Sequence, residues 1–242
     1  MIDAAALRTR LADVCARIAR AAGRAGRDPA SVTLIAVSKT FPPEYVRAAA
    51  EAGQVDFGEN KVQEARQKMD QTSDLQIRWH LVGHLQTNKV KKACGFDVVH
   101  SIDDAGLVEK LDHAALAAGR RLDLLVQVDL AGEETKHGAR EEELTAIFEA
   151  GRAARASRIV GLMLLPPAVD DPVAARPYFK ALRDVRDRLL RRGVDASSLK
   201  ELSMGMSQDF EVAVEEGATL VRVGTAIFGS RPPGQNPMII GI

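Results

Sequence analysis

Hydrophobic positions along this chain change period repeatedly after an opening helix. Leu7, Leu11, Val14, Ile18 and Ala22 recur at helical spacing with arginines between them, which predicts a helix over residues 3–25, stopped by Gly26 and Pro29. Short β-branched runs then alternate with longer amphipathic stretches. Strands are expected at 32–38, 55–58, 77–82, 98–101, 122–128, 159–164, 200–204 and 219–223. Helical segments are expected at 43–52, 60–69, 87–93, 104–118, 141–153, 172–192 and 208–216. LLVQV and IVGLMLL are almost wholly apolar, as parallel strands covered on both faces should be. No repeat or linker interrupts the pattern before Arg231. Eight strand–helix units predict one α/β domain over residues 1–242, a (β/α)8 TIM barrel with an extra N-terminal helix (1–26) and a C-terminal tail (231–242). The runner-up architecture is a doubly wound open sheet, but the first strand-to-helix turn, SKTFPPE, lacks the glycines of a dinucleotide-binding loop.

Composition narrows the function. Lys plus Arg number 33 and Asp plus Glu 33, a net charge of zero that argues against a generic polyanion or nucleic-acid binder. Charged residues break every apolar stretch before it reaches membrane-spanning length, and the opening segment lacks a signal-peptide core. Only Cys15 and Cys94 are present, in no zinc or redox spacing, so a reducing cytoplasm is expected. His80 and His84 have the spacing of helical metal ligands, but they fall on a strand that would hold them roughly 13 Å apart, and no metal is assigned to them. Lys89, Lys91 and Lys92, and the arginines from Arg183 to Arg192, read as solvated faces.

In a barrel, chemistry gathers where strands end at the carboxyl mouth. Those positions are Lys39, Glu59, Asn60, His84, Ser101, Asp129, Lys136, Pro166, Pro167, the segment SMGMS at 203–207, Gly224 and Thr225. Lys39 leaves the apolar run VTLIAV, where partial desolvation favours the neutral amine that attacks an aldehyde; the plainer reading is a snorkelling lysine. Two glycine-bearing loops, around Ser207 and around Gly224, lie where barrels bind phosphate; the plainer reading is a cap and a turn. Asp209 would repel a phosphate if it pointed inward. Arg222, inside the strand TLVRV, needs either a carboxylate partner or an acceptor on a cofactor ring.

AVSK at 36–39, FGENKVQE at 57–64 and WHLVGHLQTNK at 79–89 resemble the pyridoxal-phosphate homeostasis proteins. LSMGMSQDFEVAVEEGATLVRVGTAIFG at 202–229 is similar to that family's most specific segment, and GLMLLPP at 161–167 to its sixth strand. The resemblance covers nearly the whole chain and implies the barrel of alanine racemase with pyridoxal 5'-phosphate bound. It implies that Lys39 forms the internal aldimine, that Ser207, Gly224 and Thr225 contact the phosphate, that Arg222 meets the pyridine nitrogen, and that Asn60 lies near the ring. The chain differs from the family at Asp129, where Asn is more usual, and in its tail from Pro232. An arginine can only donate, so a ring nitrogen facing it stays unprotonated and the ring is a weaker electron sink.

The expected function is intracellular homeostasis of pyridoxal phosphate by a non-catalytic cytoplasmic protein. Its partners would be the cofactor and the apo enzymes that need it, and a closed barrel without strand edges is expected to be a monomer. An amino-acid racemase needs a second proton-transfer group opposite the lysine. Racemases resembling this barrel take a tyrosine from a further β domain, whereas Tyr45 and Tyr178 fall at or within expected helices. Weak racemase activity is left open. A Schiff-base aldolase would share Lys39 and the phosphate loops, but IVGLMLL carries no lysine. Lys136 is left open as a second cofactor site.

Overall fold

The computed structural model describes residues 2–130, 132 and 137–229, so Lys136 and the tail lie outside the described residues. Eight parallel strands pair in chain order and the last pairs with the first, closing the expected barrel. They are β1 (Thr33–Val37), β2 (Asp56–Glu59), β3 (Arg78–Leu81), β4 (Val98–Ile102), β5 (Leu122–Gln127), β6 (Ser157–Met163), β7 (Glu201–Ser203) and β8 (Leu220–Val223). Helix α1 (Ala4–Arg24) precedes them, and α2 (Pro43–Glu51), α3 (Val62–Gln71), α4 (Val90–Ala93), α5 (Ala105–Ala117), α6 (Leu144–Ala153), α7 (Arg176–Arg191), α8 (Phe210–Glu215) and α9 (Thr225–Phe228) follow the strands in turn. No helix among the described residues is long and apolar enough to cross a membrane.

Strand alternation divides the apolar residues into two cores. Ile35, Val37, Val82, Val98, Leu125, Met163 and Leu220 form a small inner cluster, while their strand neighbours, such as Leu34, Ala36, Leu81 and Val99, belong to the large cluster under the helices. Polar side chains share the inner layer: His80, His100, Gln127, Ser203 and Arg222 are all buried.

Helix α1 explains itself once α9 is seen to be a single turn. Its buried stripe of Leu7, Leu11, Val14, Ile18, Ala21 and Ala22 packs on α2, α8 and α9, and so fills the gap that the short α9 leaves in the helical shell. Each fully buried Leu, Ile or Val there stabilises by about 1.5–3 kcal/mol relative to exposure. Arginines fasten the helix at its edges. Arg17 Nε donates to Glu211 Oε1 at 2.8 Å, Arg10 Nε to the Ile227 carbonyl at 2.7 Å, and Arg27, just beyond the helix, to the carbonyls of Val214 and Ala218 at 2.6 and 2.8 Å.

Several helices are shorter than the periodicity suggests, for local reasons. Pro172–Ala175 is a 3-10 turn because Asp171 accepts from Val173 N at 2.9 Å, and α7 begins only afterwards. Asp209 Oδ1 takes the amide of Met206 at 2.6 Å, which holds a turn where residues 208 and 209 would have been helical. Strand β6 starts two residues early because Asp112 Oδ1 collects the amides of Arg155, Ala156 and Ser157 at 2.7–3.0 Å.

Candidate functional site

A cavity of about 780 Å³ opens at the carboxyl mouth of the barrel. Lys39, Asn60, Ser207, Arg222, Gly224 and Thr225, which the sequence points to separately, all line it. The strands explain why. Arg222 lies within β8 near its carboxyl end and the others follow the ends of their strands by one to four residues, and closing the barrel brings those ends into one ring.

Lys39 is half-buried, and the backbone on both sides of it is fixed by a buried ionic cluster. On one side, the Ser38 carbonyl accepts from Lys68 Nζ at 2.7 Å and the Ser38 hydroxyl donates to Glu59 Oε1 at 2.6 Å. On the other, Thr40 N donates to Glu64 Oε1 at 2.6 Å. Lys68 Nζ binds both carboxylates, at 2.7 Å to Glu59 and 3.0 Å to Glu64. Thr40 has φ +69°, a left-handed conformation that a β-branched residue adopts only under constraint, at a cost of about 1–3 kcal/mol. Glu59 is wholly buried and its Oε2 has no hydrogen-bond partner. Burial pushes its carboxyl pKa up, against the pull of Lys68 and Ser38. Sequence reading names Glu59 but misses Lys68. The signal was there: Val62, Ala65 and Lys68 lie on the one buried face of α3, and a lysine on that face requires a carboxylate.

Arg222 is buried within β8. Its Nη1 donates to Ser203 Oγ at 2.6 Å and its Nη2 to the Leu164 carbonyl at 2.8 Å. Among the described residues no carboxylate lies within ion-pair distance of it, so the carboxylate alternative weighed from sequence does not hold. Burial lowers its pKa to about 10, with the Asp209 charge opposing, and it remains a cation at neutral pH. Two of its five N–H groups are thus directed into protein while the side chain also lines the cavity.

In the same cavity lining, Ser207 Oγ accepts from the amides of Gly224 at 3.2 Å and Ala226 at 3.4 Å. These amides converge on an oxygen, as a phosphate site requires. Gly224 is there for space, since a Cβ would lie 3.0 Å from the Val37 carbonyl oxygen. Asp209 also lines the cavity, with one oxygen engaged by Met206 N.

Gly83 is a wall residue that sequence reading passes over. A Cβ there would fall 2.3 Å from the Asn60 carbonyl oxygen, so the exit of β3 presses directly on the backbone beside the cavity. Gly83→Ala is expected to cost about 1–3 kcal/mol by displacing that backbone. Thermal denaturation checks this; an unchanged Tm would mean that the two loops separate freely.

His80 and His84, set apart in the sequence reading, part company here as expected. His80 points into the barrel, whereas His84 stacks on His137 with ring centroids 3.5 Å apart and planes 8° apart, beside Asp103. The ligand atoms of His84, Asp103 and His137 lie within 4.8 Å of one another, but stacked rings aim their in-plane lone pairs in parallel rather than at one ion.

The family model described as alanine racemase, N-terminal domain, matches residues 9–232, which makes this an alanine racemase-type barrel. The pyridoxal phosphate homeostasis protein of Aquifex aeolicus is 44% identical over 223 residues, 92% of this chain and 97% of that one. Its counterpart in Pseudomonas aeruginosa is 43% identical, over 93% of this chain and 95% of that one. PipY of Synechococcus elongatus, solved without and with PLP bound, is 39% identical, with TM-scores of 0.82 and 0.81 over 92% of this chain and all of that one. The chain belongs to the pyridoxal phosphate homeostasis protein family.

Proposed function

We propose that this protein binds pyridoxal 5'-phosphate covalently at Lys39 and acts without catalysis in intracellular homeostasis of the cofactor, as a cytoplasmic monomer that hands it to apo enzymes. The observation that carries the reading is that one cavity holds an amine, a donor-only guanidinium and converging backbone amides. Those three groups match the aldehyde, ring nitrogen and phosphate of this cofactor, and the cavity volume suits a ligand of its size. Lys39 Nζ attacks the aldehyde carbon and water leaves, giving a Schiff base that water or another amine reverses. The bound cofactor would otherwise supply an electron sink. Arg222 weakens that sink, because a guanidinium that stays charged offers the ring nitrogen a hydrogen bond but no proton to keep.

The second proton-transfer group of a racemase finds no tyrosine here. Tyr45 in α2 lies against Phe41 and Phe228, Tyr178 belongs to α7, and neither lines the cavity. The test is an absorption spectrum with added pyridoxal phosphate, then borohydride reduction, peptide mapping and an alanine racemisation assay. A visible band, label at Lys39 and no turnover are expected. No chromophore would overturn the binding reading, and rapid racemisation the non-catalytic one.

A further inference from the structure

Arg222 stands at one end of a hydrogen-bond chain that crosses the inside of the barrel. Ser203 Oγ, which accepts from Arg222, lies 2.9 Å from His100 Nδ1; His100 Nε2 lies 2.9 Å from His80 Nδ1; and His80 Nε2 lies 2.9 Å from Asp56 Oδ1. The five side chains come from β8, β7, β4, β3 and β2, and the link from Ser203 to His100 joins strands that are not neighbours, so it spans the lumen. Ser203, His100, His80 and Arg222 are at most 4% exposed, beside the small apolar cluster inside the barrel. Asp56 is the first residue of β2, at the amino mouth, with Arg78 Nε at 3.5 Å.

The two ends dictate the direction of every bond. A guanidinium only donates, so Ser203 Oγ accepts from Arg222 and keeps its one proton to give; the carboxylate end, working back through two neutral rings, leaves His100 Nδ1 as the acceptor of that proton. His100 then carries its own proton on Nε2 and gives it to His80 Nδ1, and His80 in turn donates from Nε2 to a carboxylate, which only accepts. With neutral rings, any other arrangement sets two protons or two lone pairs face to face. Burial holds both imidazoles neutral, lowering the pKa of His80 and lowering that of His100 further.

We propose that this chain is a polarised relay by which Asp56, at the amino mouth, positions Arg222 in the cofactor cavity at the other. As a role toward the cofactor it rests on the function proposed above. Among the described residues no carboxylate pairs with this buried guanidinium directly, and a row of aligned dipoles ending on an anion adds cooperatively to the more distant charge of Asp209. Ser203, His100, His80 and Asp56 are positioning residues: the relay gives them a part in holding the guanidinium plane and its charge where a ring nitrogen would meet it.

The test uses the full-length protein without cofactor, labelled with 15N in its histidine rings, and reads the tautomers of His80 and His100 by long-range proton–nitrogen NMR. Both rings are expected to be neutral with the proton on Nε2. Asp56→Ala, two links away, is expected to move the His100 ring signals and to weaken pyridoxal phosphate binding about threefold to tenfold. Asp56→Asn keeps an acceptor without the charge and is expected to fall between the two. Ser203→Ala cuts the chain at the other end and is expected to release His100 from its single tautomer. A proton on His100 Nδ1 in the wild type, or His100 signals and affinity unchanged in a folded Asp56→Ala protein, would overturn the relay. Tautomers as assigned in a protein that takes up no cofactor would overturn the function proposed above, and not the order of the chain.

Discussion

Replacing Lys39 by alanine is expected to erase borohydride-fixed cofactor completely, from about one label per chain to none, while the barrel stays folded. The amine is the only part of the bonding scheme that the substitution removes. Ser207, Gly224 and Arg222 keep their own partners, so pyridoxal phosphate should still bind reversibly through its phosphate and ring. Lys39 is half-buried and lies outside both apolar clusters, and truncating such a side chain costs far less stability than a core truncation does. Lys39→Arg keeps the charge without the nucleophile and should behave like alanine in the labelling assay. Mass spectrometry of the reduced protein checks both. A label that persists on another lysine would assign the covalent bond to the wrong strand end.

Lys68→Met is expected to cause the largest loss of stability of any single change near the site. Lys68 Nζ is the cation that answers the buried Glu59 carboxylate, whose second oxygen already lacks a partner. Removing it leaves that charge in apolar surroundings, at a cost of about 3–5 kcal/mol. The loss should depend on pH. Burial already raises the Glu59 pKa above its unfolded value, so its contribution to stability is full at low pH and is lost as pH rises through the folded pKa. Without Lys68 that pKa rises further. The gap in Tm between variant and wild type should therefore narrow as pH is lowered from neutrality towards the raised pKa of the stranded carboxyl, where it takes up a proton. Adding Glu59→Gln should recover most of the loss at neutral pH. Denaturation across that pH range decides the matter; an equal gap throughout would mean that the pair contributes by packing and not by charge.

The barrel was legible because its signal is repetitive. Continuous apolar strands such as LLVQV and the helical spacing of α1 each carry enough positions to outweigh local noise. Where an element depends on a few capping contacts the pattern misled by two to four residues, as at Asp171, Asp112 and Asp209. The site residues were legible for a related reason: a strand end is a position in the chain, and the fold gathers strand ends. The groups behind them were not. Periodicity marks Lys68 and His100 as buried without saying what each one meets, and their partners come from other strands and helices. The stack of His84 on His137 joins residues 53 apart in sequence, a pairing that only the closed barrel makes.

The seating of α1 has a consequence for synthesis on the ribosome. This helix is made before any strand of the barrel, yet its apolar stripe is covered by α8 and α9, and Arg10 reaches a carbonyl 217 positions later. The ring itself closes only when β8 pairs with β1. For most of translation the nascent chain must therefore carry an amphipathic helix and an open sheet edge without their partners, which favours late, slow closure and exposes the chain to aggregation until its last strand emerges. The arginines set along α1 between the apolar positions keep that waiting helix compatible with water.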